Sequence, residues 1–374
     1  MKETGKINVL YLVSRLRRQG PIFQLYNIVK YLDRKKFNPF ILALSPEAPE
    51  SFLPDFKKIN VKYNSLGLSR IAGMVLGPKK ITKLLIENPI NMVHVFDYRS
   101  TLLCANLSAG IPRLVTCRQS YRQIFGPILG HIMMKTFLKA CGKCERVVAV
   151  SNSIRNLIKN GTIRQIDVIH NGIDQDKFRH IGQEKKRQLR SRLGLPANKH
   201  IFVSAGFLSE NKGLPTLIET FIKSSEKQAN VLVLLGDGPL REKYSHLKVE
   251  KSNIRIVGFV ENVEDYLSAS DVFVSASLTE GCPNAVMEAL ACGLPVVLSD
   301  IPAHREILDF NKQAGLLFPP NDVVSLSETL SKIKEMNYLE KSQAAVSIIN
   351  DHLNAENMSL KYQELYTRLS EKAN

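Results

Sequence analysis

The chain has 374 residues, 44% of them hydrophobic and 23% charged, with a formal net charge of +16. That balance excludes wholesale disorder, and 21 Gly with 17 Pro is too few for collagenous or low-complexity structure. The length suits two domains, each able to bury its own core without disulfide staples.

The excess charge is confined to one half. Residues 1–180 carry 29 Lys+Arg and 11 Asp+Glu, a net of +18, whereas 181–374 carry 22 and 24, a net of −2. Such asymmetry points to a polyanionic partner (nucleic acid, anionic lipid or a phosphorylated substrate) or to a basic, soluble surface. No nucleic-acid-binding motif accompanies it, so nucleic acid is not expected as a partner. The six cysteines are scattered. Cys141-Gly-Lys-Cys144 lacks the second pair of ligands a zinc site needs, so reduced structural thiols and no metal are expected. Neither a cleavable signal nor a membrane-spanning run is apparent, which predicts a cytoplasmic protein.

Short apolar, β-branched runs alternate with helical patterns along the whole chain, the signature of parallel α/β sheets. Strands are predicted at 7–13, 40–44, 92–96, 113–117 and 146–150. After a polar, charged stretch they resume at 201–205, 231–235, 254–257, 272–275 and 296–298. The expected organisation is a Rossmann-like domain over 1–175, a linker over 176–198, a second Rossmann-like domain over 199–350, and a C-terminal helix over 351–374 packing back toward the first domain. The fold class is thus α/β, with two doubly wound domains facing a central cleft, and ligands are expected at the carboxyl ends of the strands.

Four stretches carry chemistry. His170-Asn171-Gly172-Ile173-Asp174 is a turn signal at the domain seam. Ser204-Ala205-Gly206-Phe207-Leu208-Ser209-Glu210-Asn211-Lys212-Gly213 follows the first strand of the second half; Gly206 frees the turn and Lys212 offers a point charge to phosphate. Gly236-Asp237-Gly238-Pro239 ends a strand, but Arg241 replaces the third glycine of a dinucleotide fingerprint, which argues against a nicotinamide or flavin cofactor. The densest stretch runs from Glu280 through Gly281, Cys282, Pro283 and Asn284 to Glu288 and on to Gly293. Pro283 suits the first turn of a helix and Gly293 its C-terminal cap, so the N-terminus near Asn284 presents unpaired N–H groups, an anion site fit for a diphosphate. Glu280 and Glu288, with seven residues between them, can accept hydrogen bonds from neutral hydroxyls.

Taken in order, Asn171-Gly172-Ile173-Asp174, Lys212-Gly213, Gly236-Asp237-Gly238-Pro239, Glu280-x7-Glu288 and Gly293-x-Pro295-Val296-Val297 resemble the retaining family-4 glycosyltransferases of the GT-B fold (glycosyltransferase group 1). The similarity continues through Ser299–Glu306 and Gly315–Phe318, is close over 145–325, and is looser before that, where it rests on Gly20 and the strand pattern. The resemblance implies transfer of a hexose or N-acetylhexosamine from a nucleotide-diphosphate sugar to a glycan or lipid-linked acceptor, with retention at the anomeric carbon. The second domain would hold the donor and the first the acceptor. Glu288 would bind the ribose and Glu280 the donor sugar. The backbone of Gly281, Cys282, Pro283 and Asn284 would form the cradle, with Pro283 contributing no N–H, beside Gly20, Gly206 and Gly236, while Lys212 would neutralise the leaving diphosphate. No cofactor is implied, and UDP is expected ahead of GDP. A sugar-nucleotide epimerase on the same fold, or a catalytically degenerate sugar-nucleotide-binding subunit, is the alternative.

Two positions depart from the family. Phe207 stands where an arginine usually clamps the diphosphate, which leaves Arg15, Arg17, Arg18 and Arg118 as compensating cations and Arg122 as an acceptor or diphosphate candidate. Arg118 stands where a histidine usually lies near the donor's C6 hydroxyl, so it is expected to act on the donor as a third catalytic candidate with Glu280 and Lys212. Finally, Gln119–Cys144 has apolar residues at helical spacing interleaved with Arg122, His131, Lys135 and Lys139. It reads either as a core helix or as one lying on an anionic membrane surface, which would make the protein peripheral on the inner face of the plasma membrane.

Overall fold

Every predicted strand of the first half is rich in residues that favour a pleated, doubly covered setting, and in the computed structural model of the protein these runs pair in parallel. The structure describes residues 5–107, 110–121, 125–159, 163, 165–224, 229–245 and 253–373. Among them, strands β1 (Ile7–Val13), β2 (Phe37–Ala43), β3 (Lys62–Ser65), β4 (Met92–Val95), β5 (Arg113–Cys117), β6 (Arg146–Ala149) and β7 (Ile166–Val168) form one sheet. Strands β8 (His200–Ala205), β9 (Asn230–Leu235), β10 (Ile254–Gly258), β11 (Val272–Ser275), β12 (Val296–Ser299) and β13 (Gly315–Phe318) form another. The strand orders are β3-β2-β1-β4-β5-β6-β7 and β10-β9-β8-β11-β12-β13. Both are doubly wound, with the order reversing between β1 and β4 in the first sheet and between β8 and β11 in the second. Crevices for ligands open at such reversals, beyond the carboxyl ends of the strands.

The chain divides into two compact units, Met1–Gly172 with Ala355–Asn374, and Ile173–Asn354. In the first unit, Leu10 of β1 lies between Phe40 and Val93 of its neighbours and is fully buried with Tyr11 and Leu12. The helix Ala355–Ala373 packs in this unit on the helix Gly20–Lys30. Ser359 donates to the carbonyl of Ile28 at 2.8 Å, and buried His94 links Tyr366 and Thr116, each at 2.8 Å. In the second unit, Phe202 of β8 pairs with Leu232 and Val272. Val286, Met287, Ala289 and Leu290 lie buried in its core.

Three features differ from the expectations. The strands β3, β7 and β13 were not anticipated; each closes an edge of its sheet. An edge strand has one neighbour and a partly exposed face, so Lys-Tyr-Asn-Ser and Ile-Asp-Val carry little of the apolar signal by which central strands are found. Residues 176–198 are not a linker. They belong to the second unit and contain the helix Gln183–Arg192, which packs against the helix Val263–Ala269. Its charges are part of the packing: Lys186 and Arg190, one turn apart and both buried, meet Asp271 at 2.7 Å each. The boundary expected at 350 lies at 354, after a single π-helical turn over Ile349–Leu353. No helix among the described residues is long and apolar enough to cross a membrane.

Candidate active site

The second unit concentrates its chemistry at the reversal between β8 and β11. After β8 the chain turns at Gly206, whose φ of 150° lies outside the usual range of a side-chain-bearing residue, and enters a short 3₁₀ turn, Glu210–Lys212. Gly213, at φ 63°, ends that turn and starts the helix Leu214–Lys223. A Cβ at Gly213 would fall 1.9 Å from the carbonyl oxygen of Ala276, just after β11. The loops of β8 and β11 therefore touch backbone to backbone, and Leu278 donates to the carbonyl of Asn211 at 2.9 Å. On the other side, a Cβ at Gly236 would lie 1.9 Å from the carbonyl oxygen of Gly206, which closes the β9 loop onto the β8 loop.

Lys212 and Glu280 meet across this seam, Nζ to Oε1 at 2.6 Å. Ser277 Oγ also donates to Oε1, at 2.8 Å. The lysine side chain keeps 35% exposure and the glutamate 14%, so one end of the pair is open to solvent. Beyond Glu280, Pro283 precedes the helix Asn284–Ala291, which has no side-chain cap. Its first N–H groups and the positive end of its dipole stand just past the Glu280 loop, which carries Gly281 and Cys282 half-buried. The helix ends at Cys292, with Gly293 at φ 76° beyond it, where a Cβ would press on His180 and Ser342. Glu288 lies one turn into the helix. Burial raises its pKa to about 7; Lys177 opposes that rise and Glu264 adds to it. The structure thus gathers Gly206, Lys212, Gly236, Glu280, Gly281, Cys282, Pro283, Asn284 and Glu288 at one end of one sheet. Phe207 is 60% exposed beside them and supplies no charge.

The other candidates belong to the first unit. Gly20 opens the helix Gly20–Lys30 behind an N-cap, Gln19, whose side chain does not cap it. Arg118 follows β5, half-buried, and its Nε donates to the carbonyl of Phe96 at 3.1 Å. Arg18 is paired with Asp55 at 3.0 Å and lies over the Phe52 ring, so its charge is already compensated. Arg15 and Arg17 follow β1, the second of them exposed. Arg122 lies outside the described residues.

Sequence reasoning missed four residues that organise these loops. Asp97 bridges the reversal of the first sheet, accepting from Ser14 N and Ser14 Oγ at 2.7 Å each. It also forms a capping box with Ser100 at the start of the helix Tyr98–Cys104. Its signal was present as Asp97-x-x-Ser100 directly after a strand. Ser277, Ser299 and His304 support Glu280 from behind, through hydrogen bonds that no local spacing announces.

Two family models match the chain and together span more than half of it: "Glycosyl transferases group 1" over residues 199–335 and "Glycosyltransferase Family 4" over 23–177. A Bacillus subtilis glycosyltransferase assigned to teichuronic acid biosynthesis is 32% identical over 60% of this chain and 56% of its own length. An Escherichia coli O-antigen biosynthesis glycosyltransferase is 25% identical over 97% of this chain and 99% of its own. Among solved structures, HepE of Anabaena in complex with UDP superposes with a TM-score of 0.82 over 97% of this chain and 100% of that one, at 17% identity. The two doubly wound sheets are those of the GT-B fold, and the chain belongs to the group 1 and family 4 glycosyltransferases.

Proposed function

We propose that this glycosyltransferase is a retaining enzyme that moves a hexose or N-acetylhexosamine from a UDP-sugar to a glycan or lipid-linked acceptor of a cell-surface polysaccharide or glycolipid. The observation that carries the reading is the Lys212–Glu280 pair, set at the strand reversal beside an uncapped helix N-terminus. The two charges satisfy one another across the seam. A nucleotide-diphosphate sugar would exchange that contact for two others: the ammonium turns to the diphosphate and the carboxylate accepts from sugar hydroxyls. The N–H groups at Asn284 add a second positive element for the phosphates, and Glu288, a turn further on, accepts from the ribose.

In this reading the bond between the anomeric carbon and the diphosphate breaks while the acceptor oxygen bonds to the same face. The acceptor's hydroxyl proton passes to the departing phosphate oxygen. Lys212 stabilises the charge that develops on that leaving group, the kind of electrostatic term that dominates many enzymes. Arg118 is assigned to the donor's C6 side or to the diphosphate. UDP is favoured because HepE, which shares the fold, was solved with it. A cell-surface polymer is favoured by the two relatives, which are named for teichuronic acid biosynthesis and O-antigen biosynthesis.

The acceptor side is read from the first unit. The helix Arg70–Glu87 exposes Ile71, Val75 and Leu76, and the helix Pro127–Cys141 exposes Ile128, Leu129 and Ile132. Both pack on the helix Tyr98–Cys104 and carry exposed lysines at 79, 80, 83, 135 and 139. Apolar side chains ringed by lysines suit an anionic lipid surface, and we place the enzyme on the cytoplasmic face of such a membrane. The test is transfer from UDP-sugars to acceptor lipid extracts, with the anomeric configuration of the product read by NMR. Retention supports the reading, inversion overturns the mechanism, and turnover of the donor without any acceptor favours an epimerase.

A further inference from the structure

Behind Glu280 lies a run of hydrogen bonds that ends on a fully buried histidine. His304 Nδ1 is 2.8 Å from the carbonyl oxygen of Ser299 and 3.2 Å from Ser299 Oγ. A carbonyl oxygen can only accept, so Nδ1 carries the proton, and the same N–H also reaches the hydroxyl oxygen. Ser299 Oγ–H then donates to the carbonyl of Ser277 at 2.5 Å. Ser277 Oγ accepts from Ser275 Oγ at 3.2 Å and donates to Glu280 Oε1 at 2.8 Å. The run thus passes from His304 to Ser299 and from Ser299 to the backbone of Ser277, whose own hydroxyl donates to the carboxylate.

Two further observations set His304 apart from an ordinary core residue. Its side chain is fully buried, and Nε2 has no hydrogen-bond partner among the described residues. Imidazole is a poor filler for such a place unless its other nitrogen is needed. Burial also lowers its pKa, while the nearby Glu280 opposes and Lys212 reinforces that direction. Burial thus favours the neutral ring, and Lys212 is the cation that pairs with Glu280.

We propose that His304 is a positioning residue: through Ser299 and Ser277 it fixes the Glu280 loop so that the carboxylate meets the donor sugar. The inference rests on Glu280 and Lys212 being the donor site, as proposed above. It asks of His304 only the Nδ1–H, a bond that the side-chain amide of asparagine can replace.

The test measures UDP release from UDP-glucose, UDP-galactose and UDP-N-acetylglucosamine, and UDP affinity by calorimetry, on the full chain. His304→Ala is expected to cut kcat about tenfold or more while UDP affinity stays within about twofold, because the loss falls on sugar positioning rather than on the diphosphate. His304→Asn restores turnover to within about threefold of the parent and His304→Gln does not. Should His304→Ala fail to fold, Ser299→Ala cuts the same run one step nearer the site and is expected to show the same split. Parental turnover in folded His304→Ala or Ser299→Ala, or an asparagine variant as impaired as the alanine one, overturns the proposal. Lys212→Met and Glu280→Gln are run in parallel. If they too turn over normally, the donor-site reading falls with the inference; if only they are impaired, the inference alone falls.

Discussion

Lys212 and Glu280 form a short ion pair that is open at one end, and open pairs contribute little to stability because water and salt screen them. What the pair offers is a cation and a carboxylate held in place before a ligand arrives. Lys212→Met is therefore expected to leave the melting temperature nearly unchanged while lowering kcat/KM by about 100-fold or more, read by calorimetry and by donor turnover. Glu288 has a different dependence. Its pKa is pushed up to about 7 in the fold from the ordinary carboxyl value of 4.5, and burial is the cause. The fold favours the protonated form, so this contribution to stability is complete below pH 4.5 and is lost as pH rises through 7. Glu288→Gln, which stays neutral, should melt progressively higher relative to the parent between pH 5 and about pH 8. A difference that stays flat with pH would show that the carboxyl titrates normally.

At the scale of elements, the site exists because three strand-end loops are drawn together by glycines. Gly213 combines a positive φ with a backbone neighbour 1.9 Å from where its Cβ would sit. Gly213→Ala should cost about 2–3 kcal/mol and displace Lys212, seen as a lower melting temperature together with weaker UDP binding. Much of this was legible from the chain alone. Lys212-Gly213 and Glu280–Gly293 lie in loops or helix ends whose residue types are dictated locally, and the central strands are nearly all apolar. What could not be read depends on partners far along the chain. The edge strands β3, β7 and β13 owe their place to one neighbour each. The helix Gln183–Arg192 looked like a solvated linker because Asp271, which takes its buried charges, is some 80 residues away. The support of Glu280 by His304 runs through three elements that no spacing connects.

For the molecule as a whole, the net +18 of residues 1–180 now stands beside two helices that expose apolar side chains among lysines. Full-length protein should sediment with phosphatidylglycerol vesicles and not with phosphatidylcholine ones. Binding should fall as salt rises from about 0.05 to 0.5 M, because the Debye length shortens severalfold. Ile128→Glu with Ile132→Glu should weaken sedimentation and leave UDP affinity unchanged, since both residues belong to the first unit. The second unit is close to neutral, and the donor site proposed in it relies on a few placed groups instead of a broad field. On the reading proposed above, these groups, with Lys212 foremost, form the donor site. The most direct measurement is the thermal shift produced by UDP in the parent and in Lys212→Met. Stabilisation grows with ligand concentration over Kd, so the parent should rise with UDP and the variant should hardly respond. An equal shift in both proteins would contradict the claim.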